Sequence, residues 1–228
     1  MLRAAVRALL DLVYPPRCAA CGEPVTEEPF CDVCAGALEP VPPGCDRCGA
    51  PGPGPACGAC LAAPPAFDAV RAGGLFGGPL ADAVHALKYG GRPDLARPLG
   101  AWLAARISLP PGAAVVSVPL GRARRIERGY DQAALLADAL ARAAGARGRR
   151  LRGALRRARE TAPQVGLGRA ERARNVEGAF LAGPAVAGRD LVLVDDVVTT
   201  GATADAAARA LRAAGARSVT VVALARAE

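Results

Sequence analysis

LVLVDDVVTTGAT, residues 191–203, sets an uninterrupted apolar run directly before two carboxylates and a turn of threonines around one glycine. A run without polar alternation is what a strand buried on both faces of a parallel sheet requires. Downstream, Ala204, Ala207, Ala208 and Leu211 recur at helical spacing, Gly215 marks a helix end, and VTVVAL at 219–224 is a second buried strand. AVVSV at 114–118 has the same character. The unit is strand, loop, helix, strand, which predicts an α/β fold with a parallel sheet flanked by helices. In the loop, Gly201 admits close backbone approach, and Thr199, Thr200 and Thr203 bring hydroxyls to the free N–H groups of a helix N-terminus, a candidate anion cradle. Asp195 and Asp196 face the same crevice, where two carboxylates can accept hydrogen bonds from a vicinal diol. A phosphate and a ribose could be held together there; an acidic strand end before a capped turn is also common as plain structure. GxxxxGK[ST] is absent, which argues against a P-loop nucleotide hydrolase.

The 228 residues, 52% of them apolar, suffice for one α/β domain and a small appendage. Three serines (Ser108, Ser117, Ser218) and one histidine (His85) exclude a Ser/His hydrolase triad and His-ligated metals. Charge is unevenly placed. Residues 122–174 hold 15 arginines against five acids, and the rest of the chain is slightly acidic. That concentration suits a local polyanion site or a solvated Arg-rich face, and charge alone does not separate the two. MLRAAVRALLDLV puts Leu2, Val6, Leu9 and Val13 on one face of an amphipathic helix expected within 1–16, interrupted by Arg3, Arg7 and Asp11. No signal-type or spanning run is present in the sequence, so the expectation is a cytoplasmic chain without membrane insertion.

All eight cysteines lie in four CxxC pairs, Cys18/Cys21, Cys31/Cys34, Cys45/Cys48 and Cys57/Cys60, with Pro42, Pro43 and Gly44 between the halves. Two residues between thiolates let a tight turn aim both sulfurs at one ion, and two such knuckles complete a tetrahedral S₄ shell for zinc. Disulfides suit a reduced compartment poorly, and redox CxxC chemistry asks for one motif opening a helix. Two structural Zn²⁺ sites are therefore expected. Four knuckles pair in three ways, with short loops favouring neighbours. Arg47 is the only basic residue between 18 and 60, so the ribbon is a scaffold more than a nucleic-acid surface.

The loop at 191–203 resembles the phosphoribosyl pyrophosphate (PRPP) signature of type I phosphoribosyltransferases. Three further features join it: SVPLGRARRIERGYDQA (117–133), HALKYGGR (85–92), and Gln164, Arg172 and Asn175 with GAF at 178–180. Together with the cysteine segment they make essentially the whole chain resemble the ComF/GntX family. The resemblance implies a double zinc ribbon over 17–63 and a type I phosphoribosyltransferase-like domain over 64–228. It also implies Thr199, Thr200, Gly201, Ala202 and Thr203 on the 5-phosphate, and Asp195 and Asp196 on the ribose hydroxyls. Phosphoribosyl transfer develops charge on a leaving pyrophosphate, so Mg²⁺ is expected with PRPP. Arg122, Arg125 and Arg128, in the loop expected after strand 114–118, are candidates for the pyrophosphate because a guanidinium meets two phosphate oxygens. Of these, Arg125 and Arg128 join the two aspartates as expected catalytic residues; a solvated helical turn is the alternative. Residues 154–174 read as a mobile flap in which Arg159, Thr161, Gln164 and Arg172 match polar positions of the family. Lys88 matches the family's lysine, on a helix expected over 79–89 with His85. Tyr130-Asp131 departs from the family's more usual aromatic-Asn pair.

Members of the family are tied to natural competence, which makes single-stranded DNA and the competence machinery expected partners. Two functions follow. One is a PRPP-binding phosphoribosyltransferase-like protein supporting DNA uptake. The other is a catalytically silent single-stranded nucleic-acid module that retains the fold. The intact loop favours the first and the arginine-rich segment the second, while a 4% aromatic content weakens stacking on bases. No acceptor-base pocket is recognisable in the sequence.

Overall fold

A computed structural model describes residues 15–26, 28–145, 149–160 and 169–227. The helix expected within 1–16 falls almost wholly outside them. Ahead of the main body stand two short helices, α1 (Asp32–Gly36) and α2 (Gly58–Ala62), one in each cysteine unit. The main body then runs β1 (Ala69–Leu75), α3 (Gly78–Tyr89), α4 (Ala96–Arg106), β2 (Ala114–Ser117), α5 (Arg122–Arg128), α6 (Gln132–Ala143) and β3 (Arg149–Arg150). It continues with β4 (Leu155–Arg157), α7 (Arg169–Val176), β5 (Phe180–Ala182), β6 (Asp190–Val198), α8 (Ala202–Ala213) and β7 (Ser218–Arg226).

Five strands form one parallel sheet in the order β1-β7-β6-β2-β3. The apolar runs divide between its two faces as period-2 geometry demands. Leu191 and Leu193 of β6 join the layer under α8, while Val192 and Val194 join the layer under α3, α4 and α6. Ala204, Ala207, Ala208 and Leu211 of α8 fill the first layer, and Leu136, Ala137 and Leu140 of α6 fill the second. β2 and β6 are neighbours whose following helices leave to opposite faces. That divergence opens a crevice beyond their carboxyl ends, the place where open α/β sheets bind ligands.

β1 carries Gly73 and Gly74, poor strand residues in isolation. A Cβ on Gly73 would lie 2.4 Å from the Trp102 ring, and one on Gly74 would lie 2.8 Å from the Glu39 carbonyl oxygen. Both glycines therefore exist for close approach, one to α4 and one to the ribbon. Leu75 N–H also donates to Glu39 O (2.8 Å), so the ribbon satisfies a backbone group at the carboxyl end of the free edge of β1.

The segment expected as a mobile flap is in part packed structure. β4 pairs antiparallel with β5, and Ala154, Leu155, Val176, Ala179 and Phe180 are buried against the α8 layer. These few apolar side chains seat the β4–β5 pair despite its arginine content. The expected loop of Arg122, Arg125 and Arg128 is the helix α5.

Candidate functional site

The ribbon comes first in the chain. Cys18, Cys21, Cys31 and Cys34 bring their sulfurs within 4.8 Å of one another, as do Cys45, Cys48, Cys57 and Cys60. Neighbouring knuckles thus pair, and the interleaved alternatives fall away. Tetrahedral coordination at a Zn–S length of 2.3 Å places sulfurs about 3.8 Å apart. The facing pairs Cys21–Cys31 and Cys48–Cys57 stand at 3.7 and 3.6 Å, so the donor sets fit zinc. Burial opposes ionisation of Cys18 and Cys45, but backbone N–H groups, led by those of Cys21 and Cys48 respectively, outweigh it and bring each thiol down to about 6. Zinc binds the thiolate, so this backbone cradle suits the metal. The two units pack on opposite faces of the sheet. Cys18, Phe30 and Cys34 join the α3–α4 layer, with Phe30 edge-on to Trp102 at 5.6 Å, whereas Cys45, Cys48 and Cys60 join the α8 layer beside Phe67 and Val70.

A cleft of about 480 Å³ opens at the carboxyl ends of β2, β6 and β7. Asp195, Asp196 and the turn Thr199–Thr203 line it, so the structure gathers that whole set. Gly201 holds φ +78° at the N-cap of α8, a left-handed conformation that favours glycine, and a Cβ there would lie 3.5 Å from the buried Phe67 ring. The first-turn N–H groups of α8 lack intrahelical acceptors and carry the positive end of the helix dipole. Arg226, buried at the end of β7, ties this turn down by donating to the carbonyls of Val198 (3.1 Å), Thr199 and Ala227 (2.6 Å). A lone arginine after an apolar run gave no sequence signal for that task.

Behind the turn, Lys88 Nζ reaches Asp196 Oδ1 at 2.7 Å, and Gln132 Nε2 donates to Asp196 Oδ2 at 2.7 Å. Asp195 Oδ1 accepts from the Asp196 N–H (2.8 Å). Burial, and then the Asp196 charge, push the Asp195 carboxyl well above the usual carboxylate range. Lys88 thus pairs with Asp196, and its charge also bears on the neighbouring Asp195. Tyr130 and Asp131 support the arrangement. Tyr130 OH donates to Leu87 O (2.7 Å), fixing α3 one residue before Lys88, while Asp131 caps α6 through Ala134 N–H (3.0 Å) and accepts from Leu120 N–H (2.9 Å). The pair is structural, and an Asp satisfies both backbone donors.

Of the α5 arginines, Arg128 lines the cleft while Arg122 and Arg125 are exposed outside its lining; Arg124, not singled out in the sequence, lines it instead. Arg157 also lines the cleft, stacked on Phe180 at 5.1 Å; burial, and then the nearby Arg124 charge, press its guanidinium below the ordinary arginine range. Arg159 turns to the end of α7, donating to the carbonyls of Asn175 (3.1 Å) and Glu177 (2.5 Å). Thr161 and Gln164 lie outside the described residues, as does the side chain of Arg172. Arg150, in the basic stretch, is half-buried between Asp138 (2.8 Å) and Ser117 (3.0 Å), with Arg152 on the other Asp138 oxygen (2.7 Å). Arg150 is therefore part of the scaffold. No described helix is long and apolar enough to cross a membrane.

Two Cys₄ centres flanking a parallel sheet with a threonine-glycine turn at one strand end define a double zinc ribbon joined to a phosphoribosyltransferase-type domain. Family models agree: the double zinc ribbon domain matches residues 9–61, and the phosphoribosyl transferase domain matches residues 131–228. The chain is 34% identical over 226 residues to the DNA utilization protein YhgH of Salmonella typhi, covering 94% of this chain and 99% of the relative. It is 29% identical to Competence protein F of Haemophilus influenzae, covering 97% and 95%. The glutamine PRPP amidotransferase of B. subtilis aligns at 24% identity and a TM-score of 0.42, covering 61% of this chain and 30% of that one. The chain belongs to the ComF/GntX family.

Proposed function

We propose that the cleft binds PRPP with Mg²⁺ as a phosphoribosyltransferase-type site, in a protein that supports the use or uptake of DNA. The carrying observation is the juxtaposition of the Thr199–Thr203 turn with the Asp195–Asp196 pair at one strand end. The turn offers hydroxyls and helix N–H groups to the 5-phosphate, and the carboxylates accept from the ribose diol. Arg124, Arg128 and Arg157, all lining the cleft, are available to neutralise pyrophosphate charge as it leaves. Mg²⁺ bound with PRPP would supply further positive charge to the leaving pyrophosphate, with Asp195 and Asp196 the carboxylates placed to hold it. The names of the relatives supply the link to DNA. Calorimetry tests the reading: wild type takes up Mg²⁺–PRPP, and Thr200→Val loses about 1.5–3 kcal/mol, the usual worth of a hydrogen bond to a charged group. No heat from the wild type, or equal affinity in the variant, removes the assignment.

A second reading, single-stranded DNA binding, is favoured by the 15 arginines within 122–174. Exposed Arg122, Arg125 and Arg156 are the side chains to replace, since Arg150 is committed to Asp138. Binding should weaken with salt at a log–log slope of roughly −0.7 per phosphate neutralised, and the triple alanine variant should flatten it. An unchanged slope would return these arginines to a solvated face.

A further inference from the structure

Helix α5 carries Arg124 and Arg128 into the cleft lining, yet it buries no side chain of its own and leaves Ile126 73% exposed. A seven-residue helix does not persist on propensity alone, so its ends must be held. At the carboxyl end, Gly129 closes the last turn at φ +78°, and the Arg128 guanidinium lies 4.7 Å from the Tyr89 ring centroid. At the amino end the N-cap is Gly121, which has no side chain to offer, and the acceptor comes from a distant segment. Glu160 Oε1 accepts from the Arg122 N–H at 2.6 Å, across 38 positions of sequence. Gly121 sits at φ −62° and ψ 150°, extended backbone open to any residue, so turn geometry does not call for glycine there. Space does: a Cβ would lie 2.4 Å from Glu160 Oε2.

Glu160 is delivered by a fixed piece of chain. It follows β4, where Ala158 N–H donates to Ala179 O (2.8 Å) and Arg159 donates to the carbonyls of Asn175 and Glu177. The same piece carries Arg157 into the cleft; burial and the Arg124 charge press on that guanidinium, and the Glu160 charge partly offsets them. We propose that Glu160 is a positioning residue: by capping α5 from the β4 segment, it fixes where Arg124 and Arg128 stand and so sets the part of the cleft that meets pyrophosphate. This rests on the phosphoribosyl reading of the cleft. A carboxylate set among arginines for its charge alone would act in the opposite sense, weakening the attraction of an anion, so that its removal would tighten binding.

The test titrates the full zinc-loaded protein with Mg²⁺–PRPP, with Mg²⁺–pyrophosphate, and with ribose 5-phosphate, which shares the phosphate and diol but lacks the pyrophosphate. Glu160→Ala should weaken the first two about tenfold, the scale of a lost helix cap, and leave ribose 5-phosphate binding unchanged. Glu160→Gln keeps the acceptor oxygen without the charge and should restore binding. Gly121→Ala displaces the carboxylate without altering it, so it should reproduce the loss, and combining it with Glu160→Ala should lose no more. Equal weakening of all three ligands, tighter pyrophosphate binding in Glu160→Ala, or a Gln variant as weak as the Ala variant overturns the proposal. Hydrogen exchange keeps the two readings apart. The amides of Arg125 and Gly129, which donate to Gly121 O and Arg125 O (both 2.9 Å), should exchange faster in Glu160→Ala while those of α8 keep wild-type protection. Unchanged protection of α5 overturns the positioning role whatever the cleft binds. A wild type that binds none of the three ligands, with α5 loosened by Glu160→Ala, defeats the phosphoribosyl reading alone.

Discussion

Cys60→Ser is expected to leave the chain unable to hold its native fold, with zinc falling from two ions per chain towards one or none. A structural zinc site contributes about 10–16 kcal/mol of apparent folding free energy in isolated ribbons, against a total stability of about 5–15 kcal/mol for an ordinary domain. Here the effect reaches the α/β domain because the knuckle is part of its core: Cys45, Cys48 and Cys60 are buried with Phe67 and Val70. The linker after Cys60 then fastens α8, with Ala66 N–H donating to Asp205 (2.7 Å) and Arg212 gripping Asp68 (2.6 Å). Elemental analysis and thermal denaturation check the outcome. A variant that keeps two zinc ions, or melts within a few degrees of the wild type, would falsify the assignment of the Cys45–Cys48–Cys57–Cys60 centre as structural zinc.

Lys88→Met should have the second largest effect, on stability and on the pH response of PRPP binding together. Removing one member of a buried ion pair costs about 3–5 kcal/mol, and Lys88 is the cation facing Asp196. Burial and the Asp196 charge raise Asp195, and the Lys88 charge is among the forces holding it back, so the variant raises Asp195 further. The sign follows. An acid whose folded pKa lies above its unfolded value stabilises the protein below the ordinary carboxylate range, and that contribution is lost as pH climbs to the raised value. Unliganded protein therefore loses stability through this window, and the window extends upward in Lys88→Met. Diol binding needs the carboxylate, so Mg²⁺–PRPP affinity should rise with pH in the wild type and rise later in the variant. Thermal melts and calorimetry across the acidic to alkaline range read both quantities. Superimposable pH profiles would show that Lys88 does not govern the pair.

The elements legible in the sequence are those whose signal is local. Uninterrupted apolar runs gave β2, β6 and β7, the alanine stripe gave α8, and the paired CxxC spacing foreshadowed both Cys₄ groups. β1 escaped notice because Gly73 and Gly74 break its run, and their reason lies in Trp102 and Glu39, which come from distant elements. α4 and α6 were hidden by an alanine- and arginine-rich composition that blurs helical periodicity. The same division runs through the site. The acidic pair and the threonine turn sit together in sequence, whereas Gln132 and Arg226 reach them only when α6 and β7 converge on that strand end. Spacing by three from Arg122 to Arg128 correctly suggested a helical turn as the alternative to a loop, but helix rotation decides that Arg124 and Arg128 enter the cleft.

The position of β1 at the sheet's rim also sets an order of events during synthesis. Its sole strand partner among the described residues is β7, and the hydrogen bond from Val219 N–H to Asp68 spans 151 positions of sequence. At translation rates of about 5–20 residues per second, on the order of ten to thirty seconds separate the emergence of the two. Contacts of such long range form slowly even in a finished chain. The ribbon, whose ligands are all local, can therefore load its metal on the ribosome while β1 still waits for its neighbour. Sheet closure comes last, and the nascent chain spends that interval with a glycine-bearing strand shielded on one side only by the metal-bound units that precede it.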